Sequence, residues 1–325
     1  MLKHRRLSFS VGLVGALVAV FAVALAGCGG VKTAGDATTQ PTTAATTAAP
    51  GDTTTGETTP GGAATLAGNL TGAGATFPGP LYLEWIGQFQ KDNTGVIINY
   101  QAVGSGGGIT QFTKMTVDFG ASDAPMKDTE IAAAEAANPG AKVLHIPTVF
   151  GAIVAAYNVP GVSGLKLDSD TLAGIFLGTI AKWNDPKLVA LNPDAKLPDL
   201  AIQVVHRSDS SGTTNGFTTY LAGVSPEWDT KVGKGKDVKW PLGVGGQGND
   251  GVAAVVKQQE GSIGYVELTY ALESQMTVAD LKNKSGAFIT PSLLRIAWRK
   301  STPFRRRSSY RVTRSSPSIP PGTTR

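Results

Sequence analysis

Residues 66–290 predict an α/β fold with mainly parallel sheets, divided into two lobes. Two observations carry the class. Short apolar runs that read as strands alternate with segments of helical periodicity, and the turns between them are short and rich in Gly. A third observation sets the division: the span contains no internal repeat and is longer than a typical single domain.

The elements follow in chain order. Tyr82, Trp85, Ile86 and Phe89 recur at helical spacing behind Pro78 and Pro80, so a helix begins just after Gly74-Ala75-Thr76-Phe77 and ends near Gly95. Thr76 therefore stands at a helix entrance. Residues 96–100 form a short strand, Gly104-Ser105-Gly106-Gly107-Gly108 a turn, and a second short helix follows. A third strand, residues 117–121, runs into Ser122-Asp123-Ala124-Pro125. Residues 143–157 are apolar, but too rich in Val and Ile and too close to Pro147 and Pro160 to read as a helix. Residues 202–205 form another strand, from which His206-Arg207-Ser208-Asp209-Ser210-Ser211-Gly212-Thr213-Thr214 leads into a helix around residues 217–221.

The two ends of the chain differ from this body. Lys3, Arg5 and Arg6 precede an apolar run over residues 7–25, the charge and hydrophobic order of a secretory signal. Leu25-Ala26-Gly27-Cys28 then matches a bacterial lipoprotein cleavage site, so residues 1–27 are the signal and Cys28 the lipidated first residue of the mature chain. A single cysteine leaves no internal disulfide to form. Residues 28–65, dominated by Thr, Ala, Gly and Pro without an aromatic residue, cannot bury enough apolar surface to offset chain entropy and read as a flexible tether. From Arg295 onward there are nine Arg and Lys and no Asp or Glu. Removing those nine and the three leader cations from the formal net charge of +5 leaves −7 for residues 28–293. The basic balance thus belongs to the ends, and the body has no electrostatic footprint for nucleic acid.

Three segments of the body share one design, in which a strand ends, Ser, Thr or Gly follows, and a helix begins. Backbone N–H groups at such a point lack intrahelical partners and face outward with the positive end of the helix dipole, which suits an oxyanion. A Ser or Thr there is by itself most often an ordinary N-cap. Three such entrances together with the strong cation Arg207, in a chain without metal-ligand or P-loop spacing, favour an anion site.

Six blocks carry a family resemblance. They are Gly72-Ala73-Gly74-Ala75-Thr76-Phe77-Pro78, Asp118-Phe119-Gly120-Ala121-Ser122-Asp123-Ala124-Pro125, Leu177-Gly178-Thr179-Ile180-Ala181-Lys182-Trp183-Asn184-Asp185, the stretch 207–213, Gly248-Asn249-Asp250-Gly251 and Ile263-Gly264-Tyr265-Val266-Glu267. In order and spacing the chain resembles the phosphate-binding proteins of high-affinity ABC phosphate transporters, the PstS family, over residues 70–291. The resemblance implies a type II periplasmic-binding-protein fold, with lobe 1 over residues 66–150, lobe 2 over residues 151–290 and the ligand cleft between them. It also implies phosphate contacts from Thr76, Phe77, Ser105, Asp123, Arg207, Ser211, Gly212 and Thr213, with Asp209 orienting Arg207. The implied partners are inorganic phosphate, the permease subunits of the transporter and the membrane reached through Cys28. No cofactor, metal, nucleic acid or second copy is expected, and the place of action is the outer face of the cell membrane or the periplasm.

Asp123 is informative because a carboxylate beside an anion should repel it. It makes sense as the acceptor of a hydrogen bond from a protonated phosphate oxygen, which penalises sulfate. The resemblance stops after position 291, where Arg-rich, Ser-rich and Pro-rich text replaces the family's continuation. Residues 291–325 therefore read as a frameshifted or truncated end, with a basic membrane-contacting extension as the alternative. On that reading part of the first lobe is missing and apolar surface and strand edges are left uncovered.

Other functions fit less well. His206, Asp209 and Ser211 are the material of a phosphate-ester hydrolase triad, but their crowding within six residues works against triad geometry. A metal-dependent phosphatase needs a His and Asp cluster that the sequence lacks. An anchored sensory or adhesive module explains the tether but not the three entrances. The reading is a binding protein rather than an enzyme.

Overall fold

The computed structural model describes residues 66–292, so the expectations for the signal, Cys28, the tether and the basic tail lie outside it. The first half carries β1 (Ala67–Gly74), α1 (Gly79–Asp92), β2 (Gly95–Ala102), α2 (Ser105–Thr113), β3 (Phe119–Ala121) and α3 (Asp128–Ala137). β1 lies between β2 and β3 and runs parallel to both, with Gly74 level with Ala102 on one side and Ala121 on the other. All three strands therefore end at one edge of the sheet. Their following residues, Ala75-Thr76, Val103-Gly104-Ser105 and Ser122-Asp123, emerge there together. α2 rests directly on this edge because a Cβ at Gly108 would come within 2.4 Å of the Gly74 Cα, a contact only glycine permits.

The second half continues with β4 (Ile153–Asn158), β5 (Lys166–Leu167), α4 (Ser169–Leu177), α5 (Pro186–Leu191), β6 (Gln203–Arg207), α6 (Gly212–Val224), α7 (Pro226–Lys231) and β7 (Val244–Gly246). It closes with α8 (Gly248–Gln258), β8 (Ser262–Glu267), α9 (Leu268–Glu273), β9 (Thr277–Val278), β10 (Asp280–Lys282) and β11 (Phe288–Ile289). Its main sheet has the order β7-β6-β8-β4-β9. The β6 pairings with β7 and β8 are parallel, while β4 is antiparallel to both β8 and β9. Among the described strands, parallel pairing thus predominates, as the sequence predicts, with antiparallel pairing confined to β4 and β11. β4 joins the sheet out of sequence order beside β8, and the strand β9 that follows α9 turns back alongside it. The small sheet β11-β10-β5 is likewise mixed, with β10 parallel to β5 and antiparallel to β11.

The apolar run 143–157 divides in two. Residues 141–152 have no regular structure and β4 takes up the remainder, as Pro147 and the β-branched residues led us to expect of a non-helix.

Both hydrophobic clusters belong to the second half. One packs helices α4 and α6 against the sheet around Phe176, Phe217, Tyr265, Trp183 and Trp228; the other packs α8 and α9 on the opposite face around Val154, Val205, Val252, Val256 and Leu268. No residue before Ala152 enters either cluster. The first half buries little beyond Ala73, Ala75, Val96, Ile109, Ala121 and Ala134, and it exposes Leu70, Leu83, Trp85, Phe89, Ile97, Leu144 and Ile146. A sheet of three strands with this little apolar cover is held largely by its own ladder and by the second half.

Candidate functional site

The carboxyl ends of β1, β2 and β3 face those of β6, β7 and β8, and the side chains between them form one hydrogen-bonded assembly. Arg207 is the last residue of β6, and its side chain is 1% exposed. Its backbone N–H donates to the Tyr265 hydroxyl at 3.1 Å, which fixes the strand end. The guanidinium meets Asp209 through two nitrogens, Nε to Oδ1 at 2.7 Å and Nη2 to Oδ2. Nη1 reaches Thr213 Oγ1, in the first turn of α6, at 3.4 Å. Burial alone would raise the Asp209 carboxyl, but the Arg207 guanidinium and the Gly248 N–H, 3.0 Å away, hold it below the ordinary carboxylate range. A solvated surface pair is excluded by this burial.

α6 begins at Gly212, with Ser211 as its N-cap accepting from Thr214 N–H at 3.0 Å. The helix entrance meets the other half of the molecule there. Gly212 N–H donates to Ser105 Oγ at 3.1 Å, and Thr213 Oγ1 donates to Asp123 Oδ2 at 3.1 Å. A Cβ at Gly212 would stand 2.5 Å from both Asp123 Cβ and Ser105 Oγ, so the approach of the two halves depends on glycine at this position. Ser105 Oγ also accepts from Asp123 N–H at 3.3 Å. Asp123 retains exposed surface at the rim, but its carboxyl faces inward onto Thr213 and Ser105. Loss of water there pushes it up to about 6, against the opposing pull of Thr213, Arg207 and Ser105.

Thr76 is buried between the halves. Its hydroxyl oxygen accepts from Asn249 Nδ2 at 2.8 Å and from Asn249 N–H at 3.3 Å, and its carbonyl accepts from the Tyr270 hydroxyl at 2.6 Å. Phe77 follows, its ring packed over Gly151, where a Cβ would approach Phe77 Cε2 to 2.2 Å. Thr76 and Asp209 also line an open cleft with Ala102, Val103, Gln247, Gly248 and Asp250. A charged link closes the far side: Lys236 Nζ lies 2.9 Å from Glu130 Oε1 of α3. Gly106 N–H donates to Ser210 O at 2.9 Å beside it.

The sequence matches the family described as the PBP superfamily domain over residues 36–303. The chain belongs to the PBP superfamily. Two relatives show how specific the likeness is. One is the phosphate-binding protein PstS of Pasteurella multocida, 51% identical over 230 residues, which are 70% of this chain and 64% of the relative. The other is that of Haemophilus influenzae, 50% identical over 228 residues, which are 70% of this chain and 66% of the relative. The chain thus spans a little under two thirds of the relatives it matches. Among solved structures, the high affinity periplasmic phosphate-binding protein PfluDING bound with phosphate superposes with a TM-score of 0.55 at 22% identity, covering 71% of this chain and 67% of that one. A substrate-binding protein from Clostridium perfringens with bound phosphate gives 0.55 at 20%, covering 72% of this chain and 82% of that one. At these identities they establish the shared two-lobe α/β fold.

Within this PBP superfamily member, Thr76, Ser105, Asp123, Arg207, Asp209, Gly212 and Thr213 are brought into one hydrogen-bonded assembly, with Asn249 joining Thr76 to the rest. Ser211 stands slightly apart, its hydroxyl capping α6 and its N–H donating to Lys236 O at 3.0 Å. The residues of a hydrolase triad do not hydrogen-bond to one another: His206 stacks on Trp240 with ring centroids 4.8 Å apart, Asp209 pairs with Arg207 and Ser211 caps the helix. Among the described residues no group of three His, Cys, Asp or Glu is placed to hold a metal. Asn249, Tyr265 and Tyr270 were missed as site residues. Asn249 opens α8 behind β7, a fourth strand-to-helix entrance with the same Gly-containing signature, and it was legible on that ground.

Proposed function

We propose that this chain binds inorganic phosphate outside the cytoplasm and presents it to the permease of an ABC importer, anchored to the membrane through Cys28 and acting as a monomer. The observation that carries the reading is the make-up of the cleft. Neutral donors from both halves, one buried guanidinium and one carboxyl pushed up to about 6 share one hydrogen-bonded assembly, which borders an open cleft through Thr76 and Asp209. Backbone N–H groups at Phe77 and Gly212, the hydroxyls of Thr76, Ser105, Ser211 and Thr213, and the free edge of Arg207 would donate to phosphate oxygens. Asp209 would keep the guanidinium fork in place. Asp123 would accept the proton that phosphate carries and sulfate lacks.

The relatives' name, phosphate-binding protein PstS, supports the same ligand. Binding would favour the closed arrangement because only there do both lobes, residues 66–150 and 151–290, contribute donors. No covalent step is needed. Equilibrium dialysis of the full chain against labelled orthophosphate, with sulfate as competitor, tests the proposal. Saturable retention that sulfate fails to displace is expected, and absence of retention would overturn it.

A further inference from the structure

Asn249 makes four hydrogen bonds that no ligand contact requires. Its side-chain oxygen accepts from the Glu267 backbone N–H at 2.9 Å. A backbone N–H can only donate, so the amide cannot be reversed and Nδ2 must face the cleft. Nδ2 lies 2.8 Å from Thr76 Oγ1 and 3.4 Å from Thr213 Oγ1, and the Asn249 backbone N–H lies 3.3 Å from Thr76 Oγ1. A hydroxyl has one proton to give and two lone pairs to fill. At Thr76 both lone pairs are taken by Asn249, which leaves the proton as its one remaining valence. Asn249 is fully buried, and it belongs to the second half whereas Thr76 belongs to the first.

We infer that Asn249 is a positioning residue: by filling the acceptor valences of Thr76 from across the cleft, it makes that hydroxyl an obligate donor toward a bound anion. The polarity is set by a relay, Glu267 N–H to Asn249 Oδ1, Asn249 Nδ2 to Thr76 Oγ1, and Thr76 O–H to the ligand. Replacing the amide by a carboxylate would leave the Glu267 link in place but turn the Thr76 proton toward position 249 and away from the ligand. The relay also couples ligand recognition to approach of the two halves, since the donor orientation exists only when Asn249 and Thr76 are in contact.

The inference rests on the phosphate reading, and a double-mutant cycle in phosphate affinity separates the two. Thr76→Val removes the hydroxyl at nearly constant volume and is expected to lower affinity about tenfold, the scale of a hydrogen bond to a charged group. Asn249→Ala should lower it by a similar factor in the wild-type background but by less than twofold in the Thr76→Val background. Thr76→Ser keeps the hydroxyl and should restore the full Asn249→Ala loss, a rescue that a purely structural role for Asn249 would not produce. Losses that multiply, tenfold on tenfold, would overturn the inference while leaving the phosphate reading intact. Failure of the wild-type chain to retain phosphate in the same dialysis would overturn both. Should Asn249→Ala not fold, Thr76→Val and Thr76→Ser decide it: equal affinities would mean the hydroxyl donates nothing to the ligand.

Discussion

Replacing Asp123 by Asn tests the electrostatics of the cleft most directly. The carboxyl is pushed from an ordinary 3.8 to about 6, chiefly by burial. At ~1.4 kcal/mol per pH unit, that gap corresponds to about 3 kcal/mol of penalty for carrying the charge in the folded state. The rim of the residue is exposed, so solvent screening takes a share, and about 1–2 kcal/mol is the expected effect. The sign follows from proton linkage. A carboxyl whose pKa is raised on folding holds its proton in the native state over a range where the unfolded chain has lost it. Stability is therefore highest below pH 4 and declines as pH climbs through 6. Asn cannot ionise, so Asp123→Asn should remove this decline. In phosphate-free buffer, urea denaturation should find the variant more stable than wild type by about 1–2 kcal/mol at pH 8 and equal to it near pH 4. Its preference for phosphate over sulfate should shrink at the same time. A variant with the same pH slope as wild type, or lower stability at pH 8, would refute the account of Asp123, and an unchanged anion preference would refute its role in selection.

Other substitutions probe the remaining parts of the assembly. Gly212→Ala places a Cβ 2.5 Å from Asp123 Cβ and Ser105 Oγ, so dialysis should show at least a tenfold loss of phosphate affinity. Its melting temperature should change little, because the separated halves can accept the methyl. Asp209→Asn leaves a guanidinium only 1% exposed without its counter-charge and should cost about 3 kcal/mol in thermal or urea unfolding. Part of that loss should return with saturating phosphate; an unchanged midpoint would mean Arg207 finds another partner. Lys236→Ala removes the pair with Glu130 that bridges the cleft and should speed phosphate release several-fold in stopped-flow measurements. Glu130→Gln should do the same.

What could be read from the sequence was what is local in the chain. Thr76, Ser105 and Ser211 are recognisable because strand, small residue and helix follow one another within a few positions. Arg207 and Asp209 are recognisable because a single residue separates a cation from its partner. Asn249 was harder. Its contact with Thr76 joins positions 173 residues apart, and the Tyr270 bond to the Thr76 carbonyl joins positions 194 apart, so neither pairing leaves a spacing to find. The antiparallel placement of β4 is of the same kind. Its composition fits any buried strand, and its neighbours are decided by packing with β8 and β9. Ser211 shows a different limit: a Ser at a strand-to-helix entrance can cap the helix, as it does here, or face a ligand, and the pattern of residue types is the same for both.

The absence of first-half residues from both apolar clusters has a bearing on how readily the halves part. What joins them is a set of hydroxyls, amides and one Lys–Glu pair, each of which water can replace as soon as a gap opens. Little oily surface is uncovered in the process, so no large hydrophobic penalty ties the molecule shut. A balance that shallow can be tipped by a few new bonds to one tetrahedral ion, and it tips back just as easily when a transporter draws that ion away.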